Sequence, residues 1–598
     1  MTAFGDVLLD DARAWPGHGL LFRNASSRIT AKTLADVPRA LLAMDRAVAG
    51  GNFVAGAFAY ELGLALEPRL TPLLQRGHGP LIDVYVHDAP VALSGAQVLA
   101  LLPAGGAYLG NMAPSISREA YASAFARVKE LIAAGDIYQA NLTFPLTGRC
   151  AGDPLALYRA LRFGARAGFA ALMRTPERTI LSLSPELFLD GAGGTLKARP
   201  MKGTCPRDPD PARDAAIAAK LARDEKQRAE NLMIVDLLRN DLSRIAEGGS
   251  VRVTDLFSVE TYPSLHTMTS GVAAAIDPAT PPSHILKALF PCGSVTGAPK
   301  IRAMEVIHEL EGQARGVYCG ALGAFGPGGF VKLNVAIRTL TIDANGRAIF
   351  NVGSGVVADS GEGDEYDECL LKARFALEPT PPFELIETMR LSRGRGVVLL
   401  SRHLERVKKA ARWFNFAFDE DEFVRALHAI KSGAADQRVR AGISADGAMT
   451  LACEDLPPCD WVDGLPREPG EMKVVIAPAP LVAGDPFVRW KTSRRDHYET
   501  PLAEAKAQGA DEVIFLNARG ELCEAARTSI FVPRDGVLLT PPLDAPCLDG
   551  VLRAELLSRG LAREAVLTPN DLAGGFYLGN AVRGLKAASL GPAPSATV

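Results

Sequence analysis

The sequence predicts a mixed α/β (α+β) chain in two domains, and three observations carry that expectation. A proline cluster, Leu377-Glu378-Pro379-Thr380-Pro381-Pro382, stops one pattern and opens another. Before it, helix-periodic segments at Arg118–Ala134 and Ala212–Ile245 alternate with strand-like segments at Thr179–Leu189 and Gly329–Ile342. After it, Asp446-Gly447 and Asp535-Gly536 each lie between alternating apolar runs, where two-residue turns require positive φ. The expected division is therefore residues 1–377, a linker at 378–382, and residues 383–598 built from short antiparallel strands with interspersed helices. A chain of 598 residues is also too long for a single core.

Composition narrows the function classes. Hydrophobic residues make up 48% and charged residues 22%, an ordinary globular balance, and a net charge of -3 gives no basic footprint for nucleic acid. Residues 1–15 carry three aspartates and no basic-led apolar run, so no secretory signal is expected, and no apolar stretch reaches spanning length. The nine cysteines show neither CxxC pairing nor Cys/His ligand spacing. Reduced thiols in a cytoplasmic protein, without structural zinc or a membrane, are expected.

In the first half, Lys202 stands inside a Pro/Gly-framed turn, Arg199-Pro200-Met201-Lys202-Gly203-Thr204. Glu230 lies on a helical pattern with one buried stripe, and Glu365 and Glu368, three apart, share a face if helical. Magnesium takes one or two carboxylates plus substrate oxygens, a demand these glutamates can meet. If Asn345-Gly346 forms a two-residue turn, Arg338 falls opposite Gly353, and Gly353-Ser354-Gly355 would leave backbone N–H groups beside a guanidinium, which suits a carboxylate ligand. Gly353 to Ala358 spells a dinucleotide fingerprint but leaves an antiparallel hairpin, and Gly293 to Lys300 has the wrong glycine spacing for a Walker loop.

Ser184-Pro185-Glu186, Pro200–Thr204, Arg228–Asp236, Gly297-Ala298-Pro299-Lys300 and Gly353–Ser360 occur in the order found in chorismate-utilising enzymes. Residues 110–377 most resemble aminodeoxychorismate synthase component I. The resemblance implies a fold of antiparallel sheets flanked by helices. It makes Lys202 the nucleophile that adds at C2 of chorismate, and Glu186 the acid that protonates the departing C4 hydroxyl. Gln139 stands where isochorismate synthases carry a water-activating lysine, so the incoming nucleophile is ammonia. Anthranilate synthases carry alanine at the place of Lys202. The resemblance further implies Glu230 and Glu368 as magnesium ligands, with Glu365 acting through water, and Arg338 and Tyr318 as enolpyruvyl carboxylate contacts. Thr296, Lys300, His266, Gly353, Ser354 and Gly355 complete the substrate set. Gln227 departs from the acidic residue of several relatives. No GxCxG elbow is visible, so ammonia is expected from a separate glutamine amidotransferase or from solution.

In the second half, Lys491 in Trp490-Lys491-Thr492-Ser493 and Glu524 in Cys523-Glu524 answer the two electronic needs of pyridoxal phosphate: an amine to form an imine and a carboxylate to keep the pyridine nitrogen protonated. Asp549-Gly550-Val551-Leu552-Arg553 reads as a loop opening a helix, a phosphate cradle at Gly550, Val551 and Leu552, and Arg406 offers a fixed positive charge. Together with Phe383–Arg390 and Asn580–Gly584 these residues resemble fold-type IV pyridoxal phosphate enzymes, which implies a domain of two α/β subdomains. The match favours aminodeoxychorismate lyase, although D-amino acid and branched-chain aminotransferases share its general motifs and Ser529 replaces a commoner asparagine. Many members are dimeric, which allows a homodimer through this half.

The two resemblances together imply conversion of chorismate to 4-amino-4-deoxychorismate and then to 4-aminobenzoate and pyruvate, on the route to folate. The alternatives are an anthranilate-type synthase fused to an aminotransferase, and a silent scaffold. The scaffold would be expected to lack Lys202, Glu186 or Lys491.

Overall fold

The computed structural model describes residues 3–74, 79–103, 107–263, 265–377, 382–414, 416–430, 435–482 and 485–591. It divides into two units, Met1–Pro206 with Ala218–Pro382, and Arg207–Ile217 with Phe383–Val598. Most of the proline cluster expected as a linker lies outside the described residues.

The first unit is built on two antiparallel sheets of ten strands each. One runs from Gly297–Ala298 through Gln139–Gly152, Arg347–Val356, Thr339–Asp343 and Arg178–Ser182 to Val91–Ser94; the other runs from Met201–Pro206 through Leu265–Ala275, Leu187–Ala192 and Phe330–Asn334 to Ser27–Ala31. Three apolar clusters set the layers. Val7, Phe22 and Met173 of the first sheet pack with Ala55, Tyr85 and Leu322 of the second. Tyr121, Tyr158 and Val306 cover the outer face of the first sheet, and Leu41, Val235 and Leu286 that of the second. Helices thus flank a double sheet, because each sheet has two apolar faces to bury.

Two segments expected as single strands are each cut in two. Thr179–Leu189 becomes Arg178–Ser182 in one sheet and Leu187–Ala192 in the other, and Gly329–Ile342 becomes Phe330–Asn334 and Thr339–Asp343, again in different sheets. The crossing stretches run side by side: Val335 N–H donates to Glu186 O at 3.1 Å, Leu183 N–H to Arg338 O at 3.0 Å, and the Ser184 hydroxyl to Val335 O at 2.5 Å. Glu186 and Arg338 therefore sit where the chain passes between sheets.

The hairpin around Asn345 also differs from expectation. Leu340 pairs with Phe350 and Ile342 with Ala348, so the loop has three residues, Ala344–Gly346, with Gly346 at φ +80. Asp343 causes this by accepting the N–H groups of Asn345 and Arg347 on its carboxylate. The register shifts by one, and Arg338 does not lie opposite Gly353. The helical stretch Ala212–Ile245 divides into Pro211–Arg223 and Glu225–Ser243, because Asp224 caps the second helix by accepting the Gln227 N–H at 2.9 Å.

The second unit contains a four-stranded sheet, led by Leu385–Ser392 and Gln437–Ile443, and a ten-stranded one. The latter is mixed: Glu471–Ile476 runs parallel to both Glu512–Leu516 and Gly584–Leu590. The expectation of antiparallel strands alone is corrected there. Asp535-Gly536 forms the two-residue turn, at φ +51 and +77, whereas Asp446-Gly447 lies in a longer loop between Ile443 and Met449.

Arg207–Ile217 belongs to this unit because Arg207 is anchored there. Its guanidinium stacks 4.3 Å from the Trp413 ring, donates to Trp413 O at 2.8 Å and pairs with Asp214 at 2.6 Å. Trp413 Nε1 donates back to Asp208 O, and Arg489 pairs with Asp210. None of the nine cysteines forms a disulfide, and no helix among the described residues is long and apolar enough to cross a membrane.

Candidate functional sites

In the first unit a cavity of about 330 Å³ is lined by Glu186, Lys202, Glu230, Tyr318, Arg338, Glu365 and Glu368, with Gly353 and Gly355 along one wall. Lys202 enters it from the strand Met201–Pro206. The pairing of that strand with Leu265–Ala275 is bulged between Lys202 and Thr204, where Gly203 takes φ +77. A bulge re-aims the side chain beside it. A Cβ on Gly203 would lie 2.6 Å from Gln227 Oε1, so the Gln227 amide packs directly against the turn that holds Lys202.

Glycine is needed at 355 for a different reason. A Cβ there would lie 2.9 Å from both Lys202 Nζ and Gln139 Nε2, so only glycine leaves room for the amine and the amide. Both Gln139 side-chain polar atoms are buried without partners behind this wall. The ladder from Thr339–Asp343 ends at Phe350, which leaves that edge of residues 351–355 facing the cavity.

Electrostatics separate Glu186 from Lys202. Burial pushes the Glu186 carboxyl up to about 7, partly offset by the Ser294 hydroxyl and by the charge of Lys202, and Glu186 Oε1 has no partner. Burial pushes the Lys202 amine down, while Glu230, Glu186 and Glu368 oppose the shift and Lys372 adds to it. Glu230 is raised, first by burial, with Glu365 and Glu368 contributing repulsion against Lys202 and Lys226. Arg338, at φ +48, is lowered by burial; its guanidinium lies 5.7 Å from the Phe375 ring and is committed to no carboxylate among the described residues. A buried cation without a partner is costly, and a substrate carboxylate would relieve it.

Five expected substrate contacts do not line the cavity. Lys300 gives its ammonium to Asp241 and Leu289 O, so it is a structural ion pair. The Thr296 hydroxyl bonds Gly293 O at 3.0 Å, and the His266 ring bonds the Thr261 hydroxyl at 2.9 Å. Ser354 alternates away from its glycine neighbours, its hydroxyl beside Tyr121 and Cys369, and Gln139 lies behind Gly355. Lys226 and Lys372 do line the cavity and were missed. The available signal was spacing: each is one helical turn from a glutamate, and Lys372 pairs with Glu368 at 2.7 Å and donates to Gly353 O at 2.8 Å.

In the second unit Lys491 follows the short helix Pro486–Arg489, and the strand beginning at Leu385 fixes its backbone, since Ile386 N–H donates to Lys491 O at 2.9 Å. Burial lowers its amine to about 7, helped by Arg495 and Arg406 and opposed by Glu387 and Glu524. Burial lifts Glu524 to about 7 as well, with Tyr498 and the Leu548 N–H resisting. Arg406 is held by Glu387, which accepts its Nε at 2.8 Å and Nη2 at 2.6 Å, and Nη1 approaches Asp549 O at 3.4 Å. Glu387 also accepts His403 Nδ1 at 2.6 Å and stays ionised, lowered to about 2 by Arg406 first among its partners. Neither Glu387 nor His403 was expected. Gly550 caps the helix Val551–Ser558, and a Cβ on it would lie 2.5 Å from Ser529 Oγ.

Each unit thus holds a desolvated lysine, one beside a carboxylate-lined cavity and the other beside a buried carboxylate and an anchored arginine. The model for chorismate binding enzymes matches residues 21–378, and the chain belongs to that family. The model for class IV amino-transferases matches residues 384–589. Aminodeoxychorismate synthase component 1 of Klebsiella aerogenes is 45% identical over 293 residues, covering 48% of this chain and 64% of that protein. Anthranilate synthase component 1 of Streptomyces coelicolor is 40% identical over 320 residues, covering 53% and 60%. The chain therefore spans less than two thirds of these relatives. Anthranilate synthase component I from Streptococcus pneumoniae TIGR4 superposes with a TM-score of 0.51 at 26% identity, covering 60% of this chain and 92% of that one.

Proposed function

We propose that this chain makes 4-aminobenzoate in two steps, amination of chorismate in the first unit and elimination of pyruvate in the second. The observation that carries the reading is that Lys202, on the strand Met201–Pro206, and Glu186, at the crossing between sheets, face one cavity with Arg338, which meets no carboxylate among the described residues.

In the first step the Arg338 guanidinium and the Tyr318 hydroxyl hold the enolpyruvyl carboxylate. Glu186, retaining its proton near neutrality, passes it to the leaving C4 hydroxyl while the desolvated Lys202 amine bonds C2. Ammonia then bonds C4 and the C2–Lys202 bond breaks, which returns the amine. Magnesium fits the donor set, since Glu230, Glu365 and Glu368 all line the cavity. Among the described residues these carboxylates form no three-ligand metal cluster, so substrate oxygens would have to complete the coordination of an ion that takes one or two carboxylates. Bound there, magnesium would offset the ring carboxylate charge.

The second site fits pyridoxal phosphate: an amine near neutrality at Lys491, a carboxyl at Glu524, and Arg406 beside the loop that opens the helix Val551–Ser558. The cofactor supplies an electron sink for the carbanion left when a C4 proton departs. Lys491 takes that proton, Glu524 holds the ring nitrogen, and Arg406, braced by Glu387, receives the phosphate. Ammonia would come from a separate amidotransferase, as the name "component 1" of the Klebsiella relative suggests.

The similarity to anthranilate synthases favours a second reading, an anthranilate-forming first unit joined to an aminotransferase. Lys202 argues against it, since that family carries alanine there. Purified protein given chorismate, magnesium and an ammonium salt should release 4-aminobenzoate and pyruvate, identified by mass and chromatographic position. Release of anthranilate, or of no pyruvate, refutes the proposal.

A further inference from the structure

Glu524 receives two donors on a single oxygen. The Tyr498 hydroxyl and the Leu548 N–H, the latter at 3.1 Å, both reach Oε1, and Oε2 has no hydrogen bond among the described residues. Tyr498 stands on the helix Asp496–Ala507, in the segment that begins at Lys491, so one stretch of chain sets both the amine and the phenol. Its ring cannot drift: it meets Phe515 edge-on with centroids 5.3 Å apart, lies 4.1 Å from the His497 ring, and carries the Arg495 guanidinium 4.8 Å from its centre. Burial and the neighbouring Glu524 push the phenol well above its usual value, so it donates at every working pH.

We propose that Tyr498 is a positioning residue for the second reaction: its hydroxyl saturates one Glu524 oxygen and leaves Oε2 as the oxygen that meets the ring nitrogen of pyridoxal phosphate. This rests on the cofactor reading above. A donor to a carboxylate favours its ionised form. With Tyr498 in place, the proton shared between Glu524 and the ring nitrogen sits on nitrogen, where it strengthens the electron sink. Without it, a buried carboxyl already drawn toward its neutral form keeps the proton.

The test is Tyr498→Phe, which removes one oxygen and retains the ring, read in the full chain loaded with cofactor labelled with 15N at the ring nitrogen. In the parent the 15N chemical shift should report a protonated nitrogen. In Y498F it should move toward neutral pyridine, and pyridoxal phosphate should bind on the order of tenfold more weakly, as expected for losing a hydrogen bond to a charged group. Phe515→Leu loosens the packing around Tyr498 and leaves its hydroxyl, so its 15N shift should match the parent. An unchanged shift in Y498F, or an equal displacement in F515L, overturns the proposal while the cofactor reading stands. Failure of the parent to bind pyridoxal phosphate overturns both.

Discussion

Lys202 and Lys491 are the same side chain in two units, and the charges around them differ. Both are desolvated, but three carboxylates, Glu230, Glu186 and Glu368, resist the lowering of Lys202, whereas the strongest charges acting on Lys491 are the cations Arg495 and Arg406. Burial lowers both amines most, and the sign of the nearest charges then opposes or reinforces that lowering. In the first unit, Glu230, Glu186 and Glu368 offset part of the lowering that burial imposes on Lys202. In the second, the cations hold the amine close to neutral from the outset.

The largest effects should come from removing the amines. Lys202→Ala should cut chorismate amination by about 10⁴-fold or more and leave added aminodeoxychorismate convertible. Lys491→Ala should do the reverse, losing the visible imine band and accumulating aminodeoxychorismate. Release of 4-aminobenzoate at the parent rate by either variant breaks the comparison. Glu186→Gln should slow the first step by about 10²–10⁴-fold, measured as chorismate consumption, and leave the second unaffected.

Glu387→Gln tests the bracing of Arg406. Stranding a buried guanidinium should destabilise the second unit by about 3–5 kcal/mol in denaturant unfolding. The same pair gives a pH signature. The Glu387 value of about 2 lies below its ordinary 4.5, so its stabilisation is present above the ordinary value and fades as pH falls toward 2. A parent-like unfolding midpoint for E387Q, or no acid loss in the parent between those values, contradicts this account.

Smaller shifts sharpen the contrast. The first reaction should weaken as pH rises through about 7 and Glu186 loses its proton, and the slope should vanish in E186Q. Arg495→Met should raise the pH midpoint for cofactor capture by Lys491, because one of the cations that lower its amine is gone. An unmoved midpoint would mean that burial alone sets that amine.

Several residues singled out in the sequence do come together in the fold. Lys202, Glu186, Glu230, Glu365 and Glu368 share one cavity, and helical spacing alone foretold that the last two lie on one helix. The misreadings have local causes. A side-chain bond from Asp343 lengthened a turn by one residue and moved Arg338 out of its expected register. Lys300, Thr296 and His266 carried suggestive motif positions, yet each had a nearer partner in the fold.

The sequence by itself determined which chemical groups are present and in what order, because residue type and helical or strand period are local properties. Only the tertiary structure decided which of them meet and how strongly they hold their protons. It brought Glu186 to Lys202 at a crossing between sheets, seated Arg207–Ile217 against Trp413, and closed Tyr498 onto Glu524. Desolvation and the field of distant charges depend on what surrounds a group on every side, and that is fixed only when segments far apart in the chain pack together.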